Sequence, residues 1–580
     1  MNEPPAGNAP APAGSGGLIV KSARRGSTVS YKNKTLLSTV DPIAQAERTA
    51  AGIKRQDRTL YVCPSPLLGY GLSTLLSGIT ADSAVLCVET DTELSALSRS
   101  SIDTEILGHP RMAFTDIRDG MEVCRFVREK WGARVFRRVE VVKLSGGWQL
   151  DSPGYEAMAE LLRSGIAVDW SNAMTLVKLG RRFMCNVIRN LVLLNRAHSI
   201  ADISFGSKPV LVLGAGPSLD PLLDHLQEAG LFHAKTETPV RPFALVCVDT
   251  CLSLLREREI VPDLAVILES QFWNLRDFCG SLNRGIPAAA DLSAYPGTVQ
   301  LLGGPVFFFF TPWTPLRLFE RLKGAPLLPP ALPPLGSVGL TAVELALRLS
   351  TGPVILGGID FSFTLDCLHA RSSPAHLALL LSQNRFTGPF NTEAVFRPGV
   401  FDTLSKSNHP VKSNPAMRTY RNLFEQEFSC NRIRDVAGTG LPLGVQTLSV
   451  DEVVGVLSAQ ILEGPAQRHE DTTSLEKNVT PGLAAFITKE KSMLEELRGI
   501  LTGSAPAEGL DTLLDEADYL WAHFPDCAGA EGKRPPADDR NFLKRVRAEI
   551  DPFIKLWELA ERETTGYTNI IRRYHETVDH

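Results

Sequence analysis

None of the ten cysteines in this 580-residue chain forms a CxxC pair, so neither a zinc knuckle nor a dithiol redox centre is indicated. Most of them, Cys87, Cys185 and Cys247 included, sit inside apolar strand or helix patterns and read as small buried hydrophobes of a reducing compartment. A Lys/Arg stripe is also missing. The formal charge is −5, and the one short basic patch, at 21–25, lies in a tail, which argues against a dedicated nucleic-acid binder. Long apolar runs are absent: the passage 301–313 is broken by Gly303, Gly304, Pro305 and Pro312 and is too short to span a bilayer. The Pro-, Ala- and Gly-rich first 17 residues lack the basic and apolar regions of a signal peptide, so 1–30 is expected to be a disordered leader. These absences leave a soluble, cytoplasmic protein. Its length suggests three or four domains, and 44% hydrophobic residues supply their cores.

What is present begins at 208–220, KPVLVLGAGPSLD. A short apolar run ends in Gly214-Ala215-Gly216-Pro217-Ser218 and a helical pattern follows at once, as in a phosphate-binding strand, turn and helix. Gly214 and Gly216 are expected to allow positive φ and close backbone approach, Pro217 to preset the first helical turn, and Ser218 to cap the helix 219–227. Free amides and the positive dipole end would suit a nucleotide phosphate. The turn is neither GxGxxG nor a lysine-bearing P-loop, and the same letters also fit an ordinary βα corner.

Three further runs share this design. Residues 243–248 (FALVCV) end at Asp249-Thr250, 264–268 (LAVIL) at Glu269-Ser270, and 354–359 (VILGGI) at Asp360, with His369 and His376 in the loop beyond. A Gly/Ser turn at Gly336-Ser337 leads into a helix over 340–349 that carries Thr341 near its start. Apolar runs alternating with helical patterns predict a parallel α/β sheet whose polar groups gather at the strand C-terminal ends, where ligands bind.

Upstream, strands at 59–63 and 84–88 flank Gly69-Tyr70-Gly71, and Glu89 closes the second; this is a smaller Rossmann-like unit over 31–170 with an acidic residue placed to hold a ribose. Residues 171–200 form a connecting helix in which Asn186 and Asn190 share a face. The core spans 201–450 and includes a loop-rich part, 396–448, with Thr403, His409, Tyr420 and the turn Ala437-Gly438-Thr439-Gly440. A helical domain over 451–580 follows. Past Gly464 a polar stretch to Thr480 reads as a linker, then helical patterns occupy 484–501, 510–524 and 541–573. They leave a homo-oligomer open, though no sustained heptad compels it.

GAGPSLD, the VDT and IVPDLAVILES passages, and GSVGLTAVELAL with VILGGIDFSF resemble the 6-hydroxymethylpterin diphosphokinase MptE-like domain at the core of the motility accessory factors, the Maf flagellin glycosyltransferases. The segment 175–191 resembles the helix that leads into this core, and 36–47 the family's S-x-x-D-P entry, so the similarity extends over roughly residues 30–450. The resemblance implies a core similar to bacterial sialyltransferases, with the GPS turn near a cytidine nucleotide. The chain departs from those enzymes at Ala215, where they often carry Asn; Glu269 stands where many MptE-like proteins have Asp.

By this resemblance the expected activity is transfer of a sialic- or pseudaminic-type nonulosonic acid from a CMP-activated sugar to Ser/Thr of flagellin. Gly214, Gly216, Pro217 and Ser218 would cradle the donor phosphate. Asp249, Thr250, Glu269 and Ser270 would engage ribose or sugar hydroxyls, and Gly336, Ser337 and Thr341 the phosphate or carboxylate. Asp360 would orient a catalytic group, and His369 would act as base, since an imidazole accepts a proton near neutrality. The core has no D-x-D, so a metal-bridged donor is not indicated, while a loosely held Mg²⁺ stays open. Two rivals remain. One is a pterin diphosphokinase with Asp249, Asp263 and Glu269 as Mg²⁺ ligands; the other is a non-enzymatic flagellin-binding or assembly factor.

Overall fold

The computed structural model describes residues 17–132, 134–232, 241–386, 388, 392–428, 430–459, 479–528 and 533–578. Most of the expected leader, 1–16, and of the expected linker, 464–478, lies outside the described residues. The chain forms two compact units, Met1–Lys178 with Ala522–Pro535, and Leu179–Trp521 with Pro536–His580.

In the first unit, β1 (Thr59–Pro64), β2 (Ala84–Val88), β3 (Met112–Thr115) and β4 (Arg138–Val141) form a parallel sheet in the order β3-β2-β1-β4. Every residue of β1 and β2 is buried, as strands covered on both faces must be. Alternation divides them: Leu60, Val62, Leu86 and Val88 pack with Tyr155, Met158 and Leu162 of helix α1 (Ser152–Leu191), whereas Tyr61, Cys63, Val85 and Cys87 pack with Leu72, Leu75 and Leu76. The two expected strands are present.

The second unit is built on a nine-stranded sheet of β5 (His198–Ser199), β6 (Val210–Leu213), β7 (Ala244–Val248), β8 (Leu264–Ile267), β9 (Ile286–Asp291), β10 (Gly303–Phe309), β11 (Val354–Gly357), β12 (Ile433–Val436) and β13 (Gln446–Leu448). Their order is β13-β12-β11-β6-β7-β8-β9-β10-β5, and every pairing is parallel. The four strands read from the sequence, β6, β7, β8 and β11, are the central ones. From β6 the chain builds outward through β7, β8, β9 and β10, then crosses back to place β11 on the other side of β6. The chain continues from β6 to β7 on one side and from β11 to β12 on the other, and the cleft at the ends of β6 and β11 is the topological switch point.

Helix α2 (Leu219–Glu228) follows β6 and buries Leu219, Leu222, Leu223 and Leu226, a single helical stripe. Helix α3 (Val338–Leu349) precedes β11 and is buried along most of its length. Toward the C-terminus α4 (Val479–Thr502) buries Leu483, Ile487, Leu494 and Leu497, and α5 (Arg540–Val578) buries Phe542, Val546, Ile550, Phe553 and Trp557. The expected helix over 510–524 is interrupted. It stops at Glu516, and a 3-10 turn at Asp518–Leu520 follows because the Asp518 carboxylate turns inward to accept the Arg317 amide at 2.8 Å. Among the described residues no helix is long and apolar enough to cross a membrane.

Candidate functional site

The glycine turn after β6 is built differently from the expectation. Neither Gly214 nor Gly216 has a positive φ; Gly358, across the cleft, does, at φ +69°. A Cβ on Gly214 would lie 2.6 Å from Ile359 Cδ1, and one on Gly216 would run into the Asp360 carboxylate and the Gly358 carbonyl. These glycines let the turn close on the β11 loop, not on a ligand. The Gly214 amide donates to the Gly357 carbonyl and the Gly216 amide to that of Gly358, both at 2.8 Å.

The anion in this turn is internal. Asp360, buried to 2% exposure, accepts the Ser218 amide at 2.7 Å and the Ser218 hydroxyl at 2.6 Å. Ser218 thus binds Asp360 and does not cap α2, whose N-terminal end has no side-chain bond from it. The phosphate cradle expected of Gly214, Gly216, Pro217 and Ser218 is occupied by the chain's own carboxylate, and Asp360 holds the turn.

The segment beyond Phe396 seals this cleft. Gly440 lies so near Asp360 that a Cβ would be 2.7 Å from its Oδ1, Leu441 donates its amide to the Asp360 carbonyl at 2.8 Å, and a Cβ on Gly438 would press on Ser218. Lys406 bonds Asp435 at 2.7 Å, both almost wholly buried. Burial pushes the Asp435 carboxyl up to about 6 in spite of Lys406, with Asp360 adding to the rise. Lys406 and Asp435 were not foreseen, because a lone Lys and a lone Asp on weakly patterned segments give no local signal.

A polar cluster forms on the β7 and β8 side, with Arg276 at its exposed rim. Asp249 is buried, and its carboxylate accepts Asn274 Nδ2 at 2.9 Å and the Thr250 amide at 2.9 Å. The Thr250 hydroxyl lies 3.3 Å from both Asp249 and Asp277, bridging the two acids. Burial lifts the Asp249 carboxyl to about 7, with Asp277 reinforcing it; Asp277 is itself raised by burial. Arg276 bonds Asp277 at 3.3 Å. Burial also lowers the His369 pKa, opposed by a hydrogen bond to the Ala215 carbonyl and helped by the Arg276 and His376 charges. His369 is therefore a neutral imidazole at pH 7, within electrostatic reach of Arg276. Asn274, Arg276 and Asp277 were also missed: they sit on a 3-10 turn, Phe272–Phe278, whose irregular spacing carries no motif.

The other expected donor residues divide. Glu269 is exposed and its carboxylate accepts the Gln271 amide at 2.9 Å, while Ser270 is buried with its carbonyl held by Asn186. Asn186 and Asn190 are buried side by side on α1, and each amide group bridges two loop carbonyls, at Ser270 and Ser293 and at Leu292 and Ala294. The Thr341 hydroxyl donates back to the Ser337 carbonyl at 3.1 Å, so it is turned into its own helix and not toward a donor. Ser337 stands at the N-cap of α3 without a side-chain bond to that helix, next to Gly336 at φ +67°.

The carboxylate set needed by a diphosphokinase does not assemble. Asp263 precedes β8 and pairs with Arg241 at 2.8 Å, whereas Asp249 and Glu269 lie past the opposite, C-terminal strand ends. Among the described residues no group of three or more His, Cys, Asp or Glu is placed to hold a metal ion.

Residues 182–366 match the family described as 6-hydroxymethylpterin diphosphokinase MptE-like. An uncharacterized protein of Treponema pallidum (strain Nichols) is 29% identical over 561 residues, covering 92% of this chain and 94% of that protein. The structure of a Maf glycosyltransferase from Magnetospirillum magneticum AMB-1 is similar with a TM-score of 0.51 and 15% identity, covering 95% of this chain and 92% of the other. Residues 182–366 are thus an MptE-like domain, set in a chain that has the Maf-type α/β fold along nearly its whole length.

Proposed function

We propose that this protein is a glycosyltransferase that moves a nonulosonic acid from a CMP-activated sugar to a Ser or Thr hydroxyl of flagellin. The observation that carries the reading is a neutral His369 within electrostatic reach of Arg276, which pairs with Asp277 in the acid cluster that holds Asp249 at the C-terminal strand ends. The Maf-type fold supports the same reaction class. As the acceptor oxygen bonds to the anomeric carbon, His369 takes its proton. The bond from that carbon to the CMP phosphate oxygen breaks, and the electron pair leaves with the phosphate. Since Asp360 fills the glycine turn, the leaving phosphate is assigned to Arg276, 58% exposed at this rim, and to Ser337. Asp249 and Thr250 would hold donor hydroxyls.

Incubation with flagellin and a CMP-nonulosonate should raise the intact flagellin mass by one sugar residue per modified site. Unmodified flagellin, together with a pterin pyrophosphorylated from ATP, would replace this reading with the diphosphokinase. His369→Ala should lower turnover by about 10²-fold or more while donor binding persists. Unchanged turnover in that variant removes His369 from the chemistry.

A further inference from the structure

The first unit contains a cavity of about 260 Å³ at the C-terminal end of β2, and the reaction assigned above makes no use of it. Crevices at the C-terminal ends of parallel strands are where such sheets bind ligands. Its inner wall is Glu89, 1% exposed, which follows β2 directly. Three donors fix that carboxylate: Ser65 Oγ on Oε2 at 2.5 Å, with Tyr155 OH and the Asp91 amide on Oε1, both at 3.1 Å. A carboxylate accepts about four hydrogen bonds, so Glu89 keeps acceptor capacity on Oε2. From the helix side Asp151 lines the same cavity, its Oδ1 taking the Gly154 amide at 3.2 Å. Leu150 and Met158 add an apolar surface.

We propose that this cavity binds a ribonucleoside group, with Glu89 and Asp151 accepting from the ribose hydroxyls and the base lying on Leu150 and Met158. The match is chemical: two acceptors for a diol, beside an apolar wall for a flat ring. The volume admits a single nucleoside and falls below the range of about 300–1,000 Å³ usual for larger ligands. Charge sets the remaining preference. Lys32 is paired with Asp91 at 2.9 Å, which leaves Glu89 and Asp151 against Arg118 and disfavours a polyphosphate tail. The glycine turn after β1 offers no compensating phosphate loop. A Cβ on Gly69 would lie 2.9 Å from Ile102 Cγ1 and one on Gly71 2.8 Å from the Ala46 carbonyl, so both glycines are packed against protein.

The test is calorimetric titration of the full chain with adenosine and cytidine, their 2′-deoxy forms, and ATP and CTP. One ribonucleoside should bind, its 2′-deoxy form should bind about tenfold or more weakly, and the triphosphate should be weaker as well. Glu89→Gln should weaken binding by about tenfold, and so should Asp151→Asn, an exposed position whose replacement leaves the core alone. If Glu89→Gln fails to fold, the Asp151→Asn titration decides. Binding lost in Asp151→Asn but kept in Asp249→Asn, which removes the carboxylate assigned to donor hydroxyls, places it in this unit and not in the transferase site. No ribonucleoside binding, equal affinity for the 2′-deoxy form, tighter binding of the triphosphate, or full affinity in Asp151→Asn would each overturn the proposal.

Discussion

Asp249 is held by an amide group, a backbone N–H and a hydroxyl, and burial leaves its carboxyl titrating at about 7. An unfolded-state aspartate titrates at about 3.9, so the folded protein binds this proton more tightly. The stabilisation that follows is complete below about pH 4 and is lost as pH rises toward about 7; the full interval corresponds to on the order of 4 kcal/mol. Asp249→Asn removes the ionisation. It should raise the melting temperature at pH 8 and flatten the dependence of stability on pH between 5 and 8; an unaltered slope in calorimetric melts would mean that Asp249 ionises freely. The same substitution should impair transfer, because an amide replaces the acceptor assigned to donor hydroxyls. His369 was legible as a base from residue type and loop position. Its neutrality was not, since it depends on burial and on Arg276, 93 positions earlier in the sequence.

At the level of elements, the loops after β6 and β11 interlock. Gly358 is the position that needs glycine: its φ is +69°, and a Cβ there would meet the Gly214 carbonyl. Gly358→Ala should destabilise the protein by about 2 kcal/mol or more, from left-handed strain plus overpacking. Denaturant unfolding measures this, and a loss under about 0.5 kcal/mol, the usual size of a neutral surface change, would show that the cleft relaxes. GAGPS announced a strand, a turn and a helix, and all three are present over Val210–Leu213 and Leu219–Glu228. It did not announce that Asp360 would fill the turn, because an anion from 142 residues away looks locally the same as an anion from solvent. Strands β9, β10 and β12 escaped notice for a different reason. IPAAAD is alanine-rich, GGPVFFF begins with two glycines and a proline, and IRDV is half polar, so none has the β-branched signature of β6 or β7.

Across the second unit, Arg321 ties the C-terminal helices to the sheet's surroundings. Arg321 bonds both oxygens of Glu490 on α4, at 2.6 and 2.9 Å, and the Glu516 carboxylate at 2.5 Å, while Glu490 is 1% exposed. Arg321→Met would leave a buried carboxylate without its cation, so a loss of about 3 kcal/mol in equilibrium unfolding is expected. A change within about 0.5 kcal/mol would mean that Glu490 finds another partner or water. The sequence by itself determined the parallel α/β class, the central strands, the acidic strand ends and the helical C-terminal part, because hydrophobic period and turn chemistry are local properties. Only the tertiary structure decided which polar groups meet: Asp360 with Ser218, Lys406 with Asp435, Asp249 with Asn274, and Glu89 with Tyr155. These pairs join distant parts of the chain, and strand order with burial, which no local pattern encodes, sets both their distances and their proton affinities.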